Sequence, residues 1–186
     1  PGLHLENQFR LLREDFLAEL REDVHVSQGH GKIRRPRLRL GGLSLSGAHF
    51  GTTKFKTPFA LALAVRSGLE GFARMTSLQR KAYLKDNIKF LKHQSFGCIL
   101  DQEHVISFAT LFRVEELLVQ EEMPIIVLRT PDSATLENLL SALKSSDTLE
   151  FVLVDTPIFA YEPILRCLQS TVELPLWEEL FALSEE

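Results

Sequence analysis

Two hydrophobic periods divide this chain. Leu5, Phe9, Leu12, Phe16 and Leu20 recur at steps of four, three, four and four, which puts them on one stripe of an α-helix. Arg10, Arg13, Glu14, Glu19 and Arg21 fall elsewhere on its circumference, and the pattern stops before SQGHGK, where Gly29 and Gly31 break a helix. From Arg37 the period becomes two. Arg37-Leu38-Arg39-Leu40 and, after Gly41-Gly42, Leu43-Ser44-Leu45-Ser46 alternate as strands with one buried and one wet face do. In that reading Arg37 and Arg39 point the same way, into solvent, and Gly41-Gly42 is a tight hairpin turn or a bulge.

The later elements follow the same two periods. Phe59, Leu61, Leu63 and Val65 alternate with alanines, as in a strand covered on both faces, with a helix as the alternative. Residues 76 to 93 open as a helix with Thr76 as N-cap and lose the pattern after Asn87. SFGCILDQEHVISFATLF reads as a hairpin around Asp101-Gln102-Glu103-His104, and PIIVLR (124 to 129) as a strand. SATLENLLSALK (133 to 144) is a helix striped by Leu136, Leu139, Leu140 and Leu143; FVLVD (151 to 155) is a strand, and residues 158 to 170 a helix. The expected class is α+β: a small β-barrel-like core with an N-terminal amphipathic helix and flanking C-terminal helices. The expected division is a packing or stalk helix at residues 1–31 and a β-rich domain at 32–186.

Charge is distributed unevenly. Residues 1 to 100 carry 17 basic and 8 acidic residues, and residues 101 to 186 carry 4 and 17. Residues 32 to 92 alone hold 14 Lys and Arg against Glu70 and Asp86. The densest run, KIRRPRLRL, contains Lys32, Arg34, Arg35, Arg37 and Arg39; Lys54 and Lys56 repeat the alternation nearby, with Phe50 and Phe55 as candidate stacking faces. Lysine meets a phosphate as a point charge and arginine as a planar fork, so these seven cations are the candidate RNA-binding residues. Two other readings stay open: a basic edge strand that guards against aggregation, and pairing with the acidic half of the same chain.

Catalytic and metal-binding patterns are missing. Gly29-His30-Gly31-Lys32-Ile33 lacks the spacing of a phosphate-binding loop and puts isoleucine where the magnesium-binding hydroxyl belongs. The six histidines are scattered and neither cysteine lies in a ligand pair. Ser141 and Lys144 match S-x-x-K by two fixed positions inside a leucine-striped helix, a chance match. The pairs Glu115-Glu116, Glu121-Glu122 and Glu178-Glu179 read as solvated surface. No catalytic residue, metal or cofactor is expected. Cys98 and Cys167 sit among apolar neighbours and read as buried free thiols in a reducing compartment. No apolar run is long enough to span a bilayer, and the charged residues from Glu6 onward give no secretory signal.

Three stretches carry a family resemblance. ENQFRLLREDFLAELRED resembles the "FRLLREDF…PLRE" segment that opens the conserved region of the NFX-type zinc-finger-containing superfamily 1 RNA helicases; Ala18 and Glu19 depart from the small-Pro pair expected there. SFGCILDQEHVISFATLFR is similar to that family's "SLxCLSxDxFxxxxFATV" hairpin through Ser95, Cys98, Asp101 and Phe108-Ala109-Thr110. FVLVDTPIFAYEPILRCLQ is similar to its "FxMVESxxFFEAYxxxLExLQ" element through Val154, Asp155, Phe159, Tyr161, Leu165, Leu168 and Gln169. Residues 41 to 93 match by pattern alone. The resemblance implies a non-catalytic accessory domain lying immediately N-terminal to the helicase motor, like the barrel inserted in Upf-type RNA helicases. It further implies RNA and the motor domain of the same parent chain as partners, a cytoplasmic or nuclear setting, and a role in antiviral defence or small-RNA pathways. The alternative is a protein-interaction module that docks on the motor or another partner without touching RNA.

Overall fold

The computed structural model describes residues 2–30, 37–50, 59–120, 122–154 and 158–171. The chain forms two compact units, one of residues 1–23 with 156–186 and one of residues 24–155.

The first unit is built on two helices. Helix α1 runs Gly2–Ser27, its last turn lying in the second unit, and the C-terminal helix, α6, runs Ile158–Ser170. The leucine and phenylalanine stripe of α1 is less exposed than its charged circumference, as its period requires. Tyr161 meets Phe16 ring to ring at 5.1 Å, and its hydroxyl donates to Glu19 Oε2 at 3.5 Å. Desolvation, and secondarily the Glu19 carboxylate, hold the Tyr161 phenol above its ordinary range. A groove of about 400 Å³ between the two helices is lined by Phe9, Phe16, Leu17 and Leu165.

The second unit is a seven-stranded antiparallel sheet. Its strands are β1 (Arg39–Gly41), β2 (Ser44–His49), β3 (Ala60–Ala64), β4 (Ser95–Asp101), β5 (His104–Phe112), β6 (Ile125–Arg129) and β7 (Leu149–Leu153). Their spatial order is β1-β7-β4-β5-β6-β3-β2. The α+β expectation holds, but the barrel does not: β1 and β2, at the two ends of the sheet, do not pair with each other. They are successive pieces of chain bent at Gly42, so Gly41-Gly42 is a corner and not a hairpin. Around that corner the ties include an isolated Gly41–Ser67 bridge, a bond from the Arg66 N–H to the Gly41 carbonyl at 3.1 Å and one from the Leu43 N–H to the Leu149 carbonyl at 3.2 Å. Gly42 has φ +61°, and a Cβ there would lie 2.9 Å from that of Arg66. Gly68 is tighter still, since its Cβ would fall 1.8 Å from the Arg39 carbonyl oxygen.

One face of almost every strand feeds a single core. Leu40, Leu61, Leu63, Ile99, Ala109, Leu111, Ile126, Leu128, Leu149 and Phe151 share it with residues from four covering helices. These are α2 (Glu70–Ala73), α3 (Ser77–Asp86), α4 (Glu115–Leu118) and α5 (Ser133–Ser145), contributing Phe72, Leu84, Leu118 and Leu139. The Leu136, Leu140 and Leu143 stripe of α5 packs against this core, as the sequence predicts. Strand β3 is buried throughout because Ala62 and Ala64 on its other face meet Ile125 and Leu117. Thr76 caps α3 with a full capping box through Gln79. The β4–β5 hairpin turns at Asp101–His104, and Asp101 accepts from Ser146 Oγ at 2.8 Å and Thr148 Oγ1 at 2.6 Å. Those hydroxyls, Thr148 first, hold its carboxyl below the usual range. Two local expectations fail. Leu45 is exposed on β2, an end strand of the sheet, whereas Leu43 is buried; Cys167 is exposed on α6, whereas Cys98 is buried.

Arg80 is the largest fully buried side chain, 1% exposed. Its Nε donates to the Phe72 carbonyl at 3.1 Å and its Nη2 to that of Ala73 at 2.6 Å, the last two residues of α2. Nη1 reaches the Gln120 carbonyl beyond α4, and the guanidinium lies 5.6 Å from the Phe72 ring. Removing it leaves buried carbonyls without donors. Replacing Arg80 with alanine is therefore expected to cost about 3 kcal/mol. Arg80→Lys should recover only part of this, because one ammonium cannot serve three separated acceptors. Urea unfolding midpoints measure both; an Arg80→Ala midpoint equal to wild type would refute the clamp.

Candidate nucleic-acid interface

Of the seven cations expected to hold RNA, Arg37 and Arg39 lie in described residues; Lys32, Arg34, Arg35, Lys54 and Lys56 lie outside them. Arg37 and Arg39 both reach the end of α1; Arg37 is half-buried there, and Arg39 keeps 43% of its side chain exposed. Arg37 Nη1 donates to Ser27 Oγ at 3.2 Å, and Arg39 Nη1 donates to the Ser27 carbonyl at 2.9 Å. The Nε and Nη2 of Arg39 both donate to Glu150 Oε2, at 3.0 and 2.7 Å.

The register explains this geometry. Arg39 pairs with Val152 across the β1–β7 ladder, so Glu150, two residues along, is its diagonal neighbour on the same face. On that face the last turn of α1 comes down with Ser27 buried to 1%. The terminal carbonyls of a helix lack intrahelical donors and carry partial negative charge, which a guanidinium relieves. Ser27 also approaches Cys98, whose thiol is pushed up chiefly by burial and pulled back in part by the Ser27 hydroxyl. Gln28 adds a bond from its Nε2 to the Glu103 carbonyl at 2.8 Å. These two arginines therefore dock a helix end.

Of the two rings expected as stacking faces, Phe50 lies in described residues and Phe55 lies outside them. Phe50, which follows β2, is 73% exposed, and its ring meets Phe59, also exposed, edge-on at 5.5 Å. The two rings flank the segment that carries Lys54 and Lys56. An exposed ring is a face on which a base can stack.

A further cationic surface escaped the sequence reading because its residues entered only the summed charge. Lys81 and Lys85 stand at i,i+4 on α3, and Lys89 and Lys92 follow in the turn after it; all four are exposed. That turn is held from beneath by Arg113. Its Nη1 donates to the carbonyls of Ile88 at 2.8 Å and Phe90 at 3.3 Å, its Nη2 to that of Leu84, and it pairs with Glu115 at 3.2 Å. Beside it opens a notch of about 580 Å³.

Among the described residues no group of three or more His, Cys, Asp and Glu could hold a metal ion, and no helix is long and apolar enough to cross a membrane. Comparison with protein-family models, with curated proteins and with solved structures finds no match.

The pairing of Arg39 with Glu150 and with the Ser27 carbonyl makes a test. Arg39→Glu should lower stability by about 1–2 kcal/mol, through the lost pair, the lost cap and a new repulsion. Glu150→Arg added to it should recover part of that loss. Thermal unfolding of the two single variants and the double variant measures the coupling, and simple additivity would contradict it.

Proposed function

We propose that this chain is a non-catalytic accessory domain of an RNA helicase, and that it holds RNA backbone while a motor domain of the same parent chain supplies ATP hydrolysis. The observation that carries the reading is the exposed Phe50–Phe59 pair flanking the lysine-bearing segment. Solvent-exposed aromatic rings fit a strand of nucleic acid better than they fit water. The resemblance of residues 6 to 23, 95 to 113 and 151 to 169 to the NFX-type zinc-finger-containing helicases supplies the helicase context. Backbone contacts of this kind position a strand without reading its sequence. Within the basic segment, the role falls to Lys32, Arg34 and Arg35, together with Lys54 and Lys56.

The second reading, a protein-interaction module without RNA contact, is favoured by one observation: Arg39 is neutralised by Glu150 inside this chain. That is the internal use of basic charge which that reading requires.

Fluorescence anisotropy of single- and double-stranded RNA across a salt series separates the two. Under the first reading RNA binds in the micromolar range and weakens steeply with salt. Phe50→Ala combined with Lys54→Glu and Lys56→Glu then lowers affinity at least about tenfold, on the scale of one lost stacking contact and two lost phosphate contacts. Arg39→Glu should leave affinity within about twofold once the folded fraction is matched. Absence of binding at low salt would favour the interaction module.

A further inference from the structure

We propose that the lysine face of α3 and the turn after it is a second RNA-backbone surface, made of residues other than those named above for RNA contact. This rests on the RNA reading above and adds to it a site with named residues. Lys81 and Lys85 are one helical turn apart on a solvent face of α3, about 6 Å along its axis, and Lys89 lies exposed in the turn that follows the helix. No ion pair to Lys81, Lys85 or Lys89 occurs among the described residues. Asp86 is the only acid between residues 77 and 94. By contrast Arg39, Arg80 and Arg113 all spend their guanidinium groups on carbonyls of their own chain.

The row ends at the notch, where the chemistry is that of a phosphate site. Lys85, Lys92 and His93 line it over an apolar floor of Leu84 and Ile88. His93 Nδ1 accepts the backbone N–H of Arg113 at 3.2 Å, which leaves Nε2 as the N–H donor of the neutral ring. Arg113 backs the notch with its side chain 9% exposed, and its buried Nε has no hydrogen-bond acceptor. Glu115, the one carboxylate lining the notch, is taken up by Arg113. Lys85 brings positive charge to the notch, and the exposed Ile88 offers apolar surface to a ribose or base. An anionic backbone satisfies both.

The test is anisotropy of a labelled oligouridylate with the full chain and two triple variants, Lys81→Glu/Lys85→Glu/Lys89→Glu and the same three lysines changed to glutamine. The glutamate triple is expected to bind at least about tenfold more weakly at moderate salt, with the salt slope reduced by about two, as three lost phosphate contacts require. The glutamine triple should show the same direction with a smaller loss and an unchanged melting curve. If the wild-type chain binds and the folded glutamine triple binds equally well with an equal slope, this surface is overturned and the RNA reading stands on its other residues. A wild-type chain that binds no oligouridylate at low salt overturns both. Preference for oligoglutamate over oligouridylate overturns it in favour of an acidic protein partner.

Discussion

Three helices of this chain give their last carbonyl oxygens to an arginine that comes from elsewhere in the sequence. Arg39 takes Ser27 at the end of α1, Arg80 takes Phe72 and Ala73 at the end of α2, and Arg113 takes Leu84 and the turn beyond α3. A helix end brought against a sheet exposes acceptors that water cannot reach, and an unpaired buried carbonyl costs more than a typical hydrogen bond returns. A planar fork with five donors meets several carbonyls at once, and lysine cannot. Each of these arginines thus fixes where a helix stops, and with it the shape of the covering layer over the core.

That constraint sets apart the arginines whose charge is used inside the fold. The arginines that face the backbone are structural, and their charge is offset within the fold, by Glu150 for Arg39 and by Glu115 for Arg113. Among the described residues the exposed cations without an ion pair include Arg66, Arg74, Arg129 and Lys144, which are scattered, and Lys81, Lys85 and Lys89, which fall within nine residues of one another. A solvated ammonium on a flexible stem suits a phosphate backbone that is held and not read. Within the dense basic run Arg37 and Arg39 are used by the fold itself, while the quieter row on α3 is not.

Much of the fold could be read from periodicity. The α1 stripe, the Thr76 cap, the Asp101–His104 hairpin and the leucine face of α5 all follow from local patterns whose physical cause is local. What could not be read depends on partners distant in sequence. The corner at Gly41-Gly42 becomes visible only when β7 and β3 are known to pair on either side of it. The burial of Arg80 is invisible because its acceptors are backbone atoms, which carry no residue signature. The fate of Arg37 and Arg39 turned on Ser27 and Glu150, the latter 111 positions away from Arg39. Alternation placed the two arginines on one face correctly but could not say what covered that face. In the candidate interface, Phe50 was legible as an aromatic beside lysines, whereas the α3 row was diluted in a net charge.

The most direct measurement is a nitrogen-15 NMR titration of the labelled chain with oligouridylate, following backbone amides and the arginine Nε–H resonances together. The account predicts progressive shifts at residues 81 to 93 and near Phe50, while the Arg39 Nε–H, bonded to Glu150, keeps its position and its slow exchange. Movement or broadening of the Arg39 Nε–H on addition of RNA, with the α3 amides unmoved, would contradict it.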